Sequence, residues 1–243
     1  ADEENERLDE ESDEEYGHNL SSDHDEDYEE DEECPVVNEG QGQEQPQPRQ
    51  QPQERPRWVR KPKSPLGEII IVDSDDQVEA MCQYLSEQPV LGFDTETRPS
   101  FKSGVSNRVA LLQLSSSERC YLIRLCRIKL HTPILKILCN PDILKIGADV
   151  KGDMHSLHQL RNFNEQGFVD LQRIAIDWGV EEKSLRKMSA IVLGKRVSKA
   201  QRLSNWEASQ LTPQQQLYAA TDAWICIKIY KKLLASPKLQ SKQ

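Results

Sequence analysis

No Cys-x-x-Cys pair occurs in this chain. Its six cysteines, Cys34, Cys82, Cys120, Cys126, Cys139 and Cys226, stand apart, and none has zinc-ligand spacing. A structural zinc module and a paired-cysteine redox motif are thereby excluded. Most of the six lie in apolar segments, where a reduced, buried thiol is the plain reading. That points to a reducing intracellular compartment: the cytoplasm or, in a eukaryote, the nucleus. No apolar run approaches the roughly 18 residues of a membrane span, so no membrane partner is expected. No signal peptide is visible, although the chain starts at Ala1 and leaves an upstream piece open. There is no internal repeat. Hydrophobic residues are also scarce, at 36% of 243, but the scarcity is local.

The net charge of −10 hides two opposite charges. Residues 1–33 hold nineteen acids and one base, Arg7, for −18, and the remainder carries +8. A positive body suits a polyanion. The acidic segment cannot bury enough apolar surface to order itself and reads as a disordered tail, a nucleic-acid mimic or a solubility device. Residues 34–65 form a Gln/Pro-rich linker with a basic end. Residues 66–235 are the expected folded domain, and 236–243 a short C-terminal tail.

Within the domain, strands are expected at Glu68–Asp73, Val90–Thr97, Val109–Ser115, Cys120–Leu125, Ile143–Ala148 and Phe168–Asp170. Helices are expected from Ser74 or Asp75 to about Glu87, then over Thr132–Leu138, Lys151–Leu160, Leu171–Trp178, Ser184–Leu193 and Thr212–Leu234. Strands first, then alternation, predict a three-layer α/β domain with a mixed sheet.

The chemistry centres on Val90–Thr97. Asp94 and Glu96 are two residues apart, so on a strand they share a face. Carboxylates so close repel unless a cation lies between them, and a hard divalent ion such as Mg²⁺ prefers oxygen ligands. A solvated strand end is the competing reading. Asp153 opens a later helix, where an acid also suits the helix dipole. Asp222 lies mid-helix among apolar and small residues, a costly place unless paired or metal-bound. Tyr218 precedes it by four and shares its face. Trp206 and Trp224 read as core, and His155 and His158 as ordinary helix residues at a cleft edge.

Asp-x-Glu on a strand, an acid opening a later helix, and Tyr-x-x-x-Asp near the C-terminus together resemble the DEDDy group of 3′–5′ exonucleases, in the branch of ribonuclease D and the Werner-type exonuclease domains. The likeness covers about Glu68 to Leu234 and includes Val109–Leu114, Lys145–Asp153 and Leu203–Trp206. The sister group carries His-x-x-x-x-Asp, but Leu217 stands five before Asp222, so the tyrosine version is indicated. The resemblance implies a ribonuclease-H-like α/β/α fold. It implies two divalent ions, Mg²⁺ or Mn²⁺, on Asp94, Glu96, Asp153 and Asp222, with Tyr218 orienting the attacking water. It implies hydrolysis of phosphodiesters at DNA or RNA 3′ ends to nucleoside 5′-monophosphates, with DNA repair as one setting. Lys195, Arg196, Lys199 and Arg202 are read as phosphate contacts, against a solvated basic loop, Phe101 as a wedge or stacking platform, against a plain packing role, and Thr95 as a substrate contact. The rival reading is a catalytically silent nucleic-acid-binding module on the same fold.

Overall fold

The computed structural model describes residues 67–239. The acidic segment 1–33, the linker 34–65 and residues 240–243 lie outside the described residues. Six strands form one sheet: β1 (Glu68–Val72), β2 (Val90–Thr97), β3 (Val109–Ser115), β4 (Arg119–Ile123), β5 (Leu144–Gly147) and β6 (Phe168–Asp170). Their order is β1-β4-β3-β2-β5-β6. β2–β3 and β3–β4 pair antiparallel, while β1–β4, β2–β5 and β5–β6 pair parallel. The sheet is therefore mixed, and β2 lies inside it with a partner on each side.

Both faces are covered. On one, α1 (Val78–Ser86), α2 (Thr132–Leu138) and α3 (Val150–His158) pack on Leu91, Phe93, Leu112 and Leu114. On the other, α4 (Leu171–Ile174), α5 (Leu185–Leu193) and the long α6 (Pro213–Leu234) cover Leu111, Cys120, Leu122 and Ile146. Every residue of β3 is buried, as a strand sandwiched between two layers requires. Alternation sends Leu91 and Phe93 to the first face and Gly92, Asp94 and Glu96 to the α6 face.

Two local features fix where the acids sit. α6 presents the small residues Ala219, Ala220 and Ala223 to the sheet. A Cβ on Gly92 would stand 1.9 Å from the Ala223 carbonyl oxygen, so only glycine allows this approach. The second feature is a bulge. Glu96 pairs with Leu111 but Thr97 with Val109, leaving Ala110 as the extra residue. The bulge breaks regular pairing just beyond Glu96.

The opening of α6 follows its sequence. Gln215 N–H donates to Thr212 Oγ1 at 3.2 Å, Thr212 N–H donates to Gln215 Oε1 at 2.9 Å, and Pro213 fills the first turn. Other boundaries differ from expectation. The segment after Ser74 begins with a 3₁₀ turn, Asp75–Gln77, before α1. The stretch Leu171–Trp178 is α-helical only to Ile174 and tightens to a 3₁₀ turn at Ala175–Trp178, which Gly179 ends in the left-handed region. β4 stops at Ile123, where the backbone turns: Leu125 N–H donates to the Ile123 carbonyl at 3.0 Å and Arg127 N–H to the Arg124 carbonyl at 2.8 Å, while the buried Arg124 side chain donates to the Ala208 and Ser209 carbonyls.

Candidate active site

Three elements converge on one pocket. β2 supplies Asp94 and Glu96, and α6 lies against Gly92 and supplies Asp222. Carboxylate oxygens of these three residues lie within 4.8 Å of one another. Asp153, in the first turn of α3, stands outside that trio but close enough to raise the pKa of both Asp94 and Glu96. The chain brings all four acids together from positions 128 residues apart.

The electrostatics are those of an unneutralised acid cluster. Burial pushes the Asp94 carboxyl well above the usual range, and Asp153, Asp222 and Glu96 add to it. Burial followed by repulsion from Asp222 and Asp153 takes Glu96 to about 9, with Arg202 pulling the other way. Burial takes Asp153 and Asp222 to about 7. Around them lie the buried thiols of Cys120 and Cys226, both pushed up by burial, Cys120 to about 12. Those two, with Cys82, are reduced and buried, and Cys126 is exposed.

Asp153 shows most directly that the donor set suits a cation. Thr95 Oγ1 donates to Asp153 Oδ1 at 2.5 Å. Asp153 Oδ2 is buried and has no hydrogen-bond partner. A buried carboxylate oxygen without a donor is costly unless a cation meets it. An all-oxygen set of four carboxylates matches hard divalent ions.

Tyr218 lies on the same face as Asp222. Burial raises its phenol, and Asp222, Glu96 and Asp94 raise it further, so it stays protonated. The Trp206 ring backs it at 6.0 Å between centroids. Trp206 is fully buried, and the chain after it is pinned to the end of β4 by Arg124 and by Arg127, which donates to the Ser209 carbonyl at 3.1 Å. Trp224 is only half-buried, with the Lys228 ammonium 4.7 Å over its ring.

Of the basic run, Arg202 reaches the field of Glu96. Ser198, Ala200 and Gln201 from the same loop line a cavity of about 280 Å³ with Tyr218 and Asp222. Lys195, Arg196 and Lys199 are exposed on that loop. Phe101 is 85% exposed, in the loop after β2. His158 packs edge-on against Phe163 at 4.7 Å and lies 3.2 Å from Glu165, while His155 is exposed. Both line a groove along α3 rather than the acid pocket.

Sequence reasoning missed Asp149. It precedes α3 with φ 67°, a left-handed conformation that costs a non-glycine residue about 1 kcal/mol or more. Its N–H donates to Asp170 Oδ1 at 3.3 Å, and Asp170 also accepts from Gln172 N–H at 2.9 Å. This turn aims the first turn of α3, and with it Asp153, at β2. Asp149 and Asp170 add two further negative charges behind Asp153. An aspartate before a helix signals a cap but gives no sign of a left-handed turn.

The sequence model of the 3′–5′ exonuclease family matches residues 69–236. The chain is 39% identical over 163 residues to the bifunctional 3′–5′ exonuclease/ATP-dependent helicase WRN of Mus musculus, covering 64% of this chain and 12% of that protein. It is 31% identical over 198 residues to exonuclease 3′–5′ domain-containing protein 2 of Homo sapiens, covering 75% of this chain and 32% of that one. The chain thus corresponds to a minor part of these relatives' length. Among solved structures, the Aedes aegypti Nibbler EXO domain superposes with a TM-score of 0.59 at 25% identity, over 69% of this chain and 88% of that one. Escherichia coli RNase D superposes with a TM-score of 0.62 at 24% identity, over 69% and 44%, a likeness of fold. The fold is ribonuclease-H-like, as expected. The acids follow the DEDD-type order, and the match runs from β1 to just past the end of α6: the chain belongs to the 3′–5′ exonuclease family.

Proposed function

We propose that this chain is an active 3′–5′ exonuclease, hydrolysing the terminal phosphodiester of a nucleic acid and releasing a nucleoside 5′-monophosphate. The convergence of Asp94, Glu96 and Asp222 within 4.8 Å carries the reading. Exonuclease domains of this family use divalent metals. Asp94, Glu96, Asp153 and Asp222 would hold two such ions, Mg²⁺ or Mn²⁺. When bound, the ions supply Lewis-acid chemistry, acidifying a water and drawing charge from the leaving 3′ oxygen.

The remaining work falls to the chain's own groups. Tyr218, held neutral, orients the attacking water by hydrogen bond rather than taking its proton. Thr95 fixes the rotation of the Asp153 carboxylate and turns Oδ2 into the pocket. Arg202, beside Glu96, meets the terminal phosphate, and Lys195, Arg196 and Lys199 hold the backbone near it. Phe101, standing in solvent after β2, stacks on a terminal base. The reaction adds water across the P–O3′ bond, so each turnover leaves a new 3′ hydroxyl on the shortened strand. Residues 66–235 form the domain that does this, in a reducing intracellular compartment. Among the described residues, no helix is long and apolar enough to cross a membrane.

A 3′-labelled oligonucleotide tests the reading. Mononucleotide release with Mg²⁺ or Mn²⁺, absent in EDTA and in Asp94→Ala or Asp222→Ala, is the expected result. Binding of the strand without cleavage under any of these conditions would leave the silent-module reading in its place.

A further inference from the structure

We infer that a second basic surface, separate from the Lys195–Arg202 loop, holds the phosphates of the substrate strand upstream of its 3′ end. The inference rests on the exonuclease reading and extends it to substrate length.

The surface is a groove at the carboxylate end of the sheet. Pairing of Thr97 with Val109 puts the start of β3 beside the end of β2, and on its other side Cys126 N–H donates to the Ala110 carbonyl at 3.2 Å, which brings the chain after β4 to the start of β3. Two adjoining depressions open there, of about 450 and 580 Å³, sharing Arg108, Leu125 and Leu160 as walls. Arg108, Arg127, Lys129 and Arg161 line them. All four are exposed, and among the described residues none has a carboxylate partner. The one acid in the wall, Glu207, is already paired with Arg98 at 3.0 Å. Arg98 is two residues beyond Glu96, about 7 Å of extended chain. The groove therefore begins next to the acid pocket and leads away from it.

Four unneutralised cations in one groove cost stability through mutual repulsion and give none back without an anion. Two of them are held in place by neutral partners. Arg161 donates to the Leu130 carbonyl and Thr132 Oγ1 at 3.1 and 3.2 Å, and Arg127 donates to Ser209. Their guanidinium groups are thus fixed while their charge is left free. A row of positioned, unpaired charges leading from a phosphodiester-cleaving pocket fits a phosphate backbone. The floor, Leu125 and Leu160, offers no pattern of donors and acceptors to read bases, so the contact is to backbone, independent of sequence.

The test uses the full chain carrying Asp94→Asn, so that binding is read without cleavage. Arg108 and Lys129 make no side-chain hydrogen bond among the described residues, so Arg108→Ala/Lys129→Ala removes charge without unseating a loop. Affinities for oligo(dT) and oligo(U) of four and twenty nucleotides are measured from 50 to 200 mM salt. Losing two phosphate contacts lowers the single-strand salt slope by about 1.4, so the twentymer's affinity should fall about sevenfold less in the double variant over that range. The fourmer's slope should change far less. Equal slopes for variant and parent on the twentymer would overturn the inference. The exonuclease reading fails separately, by absence of mononucleotide release from the parent chain.

Discussion

Replacing Gly92 with alanine tests how α6 is seated on the sheet. The new Cβ would stand 1.9 Å from the Ala223 carbonyl oxygen and 3.3 Å from Ile227 Cγ1. Real Cβ contacts essentially never fall under 3.0 Å, so strand and helix must part by at least 1.1 Å. The obstacle is helix backbone, and no rotamer change relieves it. Overpacking a core costs about 1–3 kcal/mol, and a backbone clash belongs at the upper end. For a domain of this size each kcal/mol lowers Tm by about 2–4 °C, which gives a fall of roughly 6–12 °C. Activity should suffer more. Asp222 adjoins Ala223, so the same displacement carries its carboxylate away from Asp94 and Glu96. A misplacement of about 1 Å costs on the order of 10²-fold in rate. Thermal unfolding and 3′-label release on one preparation measure both effects. A variant that melts and turns over like the parent refutes the seating argument. One that melts low yet keeps full activity refutes the link from seating to catalysis.

Without metal, the fold should weaken as pH rises. Glu96 is pushed from 4.5 to about 9, and Asp153 and Asp222 from 3.8 to about 7, so the folded chain holds more protons than the unfolded one across that window. Their contribution is full below about pH 4 and is lost as pH passes 7 and then 9. Tm in EDTA should fall over this range and excess Mg²⁺ should flatten the fall; a flat profile in EDTA contradicts the cluster. Tyr218→Phe should cut kcat by roughly 10²-fold with little change in KM. The rise of its rate with pH should survive, and a rise that vanished in the phenylalanine variant would make the phenol a base. Thr95→Val should weaken metal affinity by about 10–100-fold and Thr95→Ser should restore it, read by Mn²⁺ titration. Parent-like affinity in the valine variant would leave Thr95 no role in aiming Asp153.

The candidate site was legible because its residues break local rules. Asp222 sits mid-helix where an apolar residue belongs, and Asp94 and Glu96 crowd one strand face. The cap at Thr212, the proline after it and the glycine at 194 punctuate their helices, so α5 and α6 fell where expected. What stayed hidden depends on contacts between distant segments. Gly92 looks like any strand glycine until α6 is laid across it. Nothing in the chain around Arg124 marks it as buried, yet it is 1% exposed and holds the Ala208–Ser209 turn by its carbonyls. The bulge at Ala110 exists only in the register of β2 on β3. Arg108, Lys129 and Arg161 lie far apart in the chain and become one groove only when the ends of β3 and β4 and the residues after α3 meet.

Titration of the full chain with Mn²⁺, followed by electron paramagnetic resonance, asks whether four acids from three elements hold metal as one site. The account predicts two ions bound by the parent, and loss of at least one in each of Asp94→Asn, Glu96→Gln, Asp153→Asn and Asp222→Asn. Parent-like binding in the Asp153 or Asp222 variant would break the four-acid pocket on which the proposed chemistry stands.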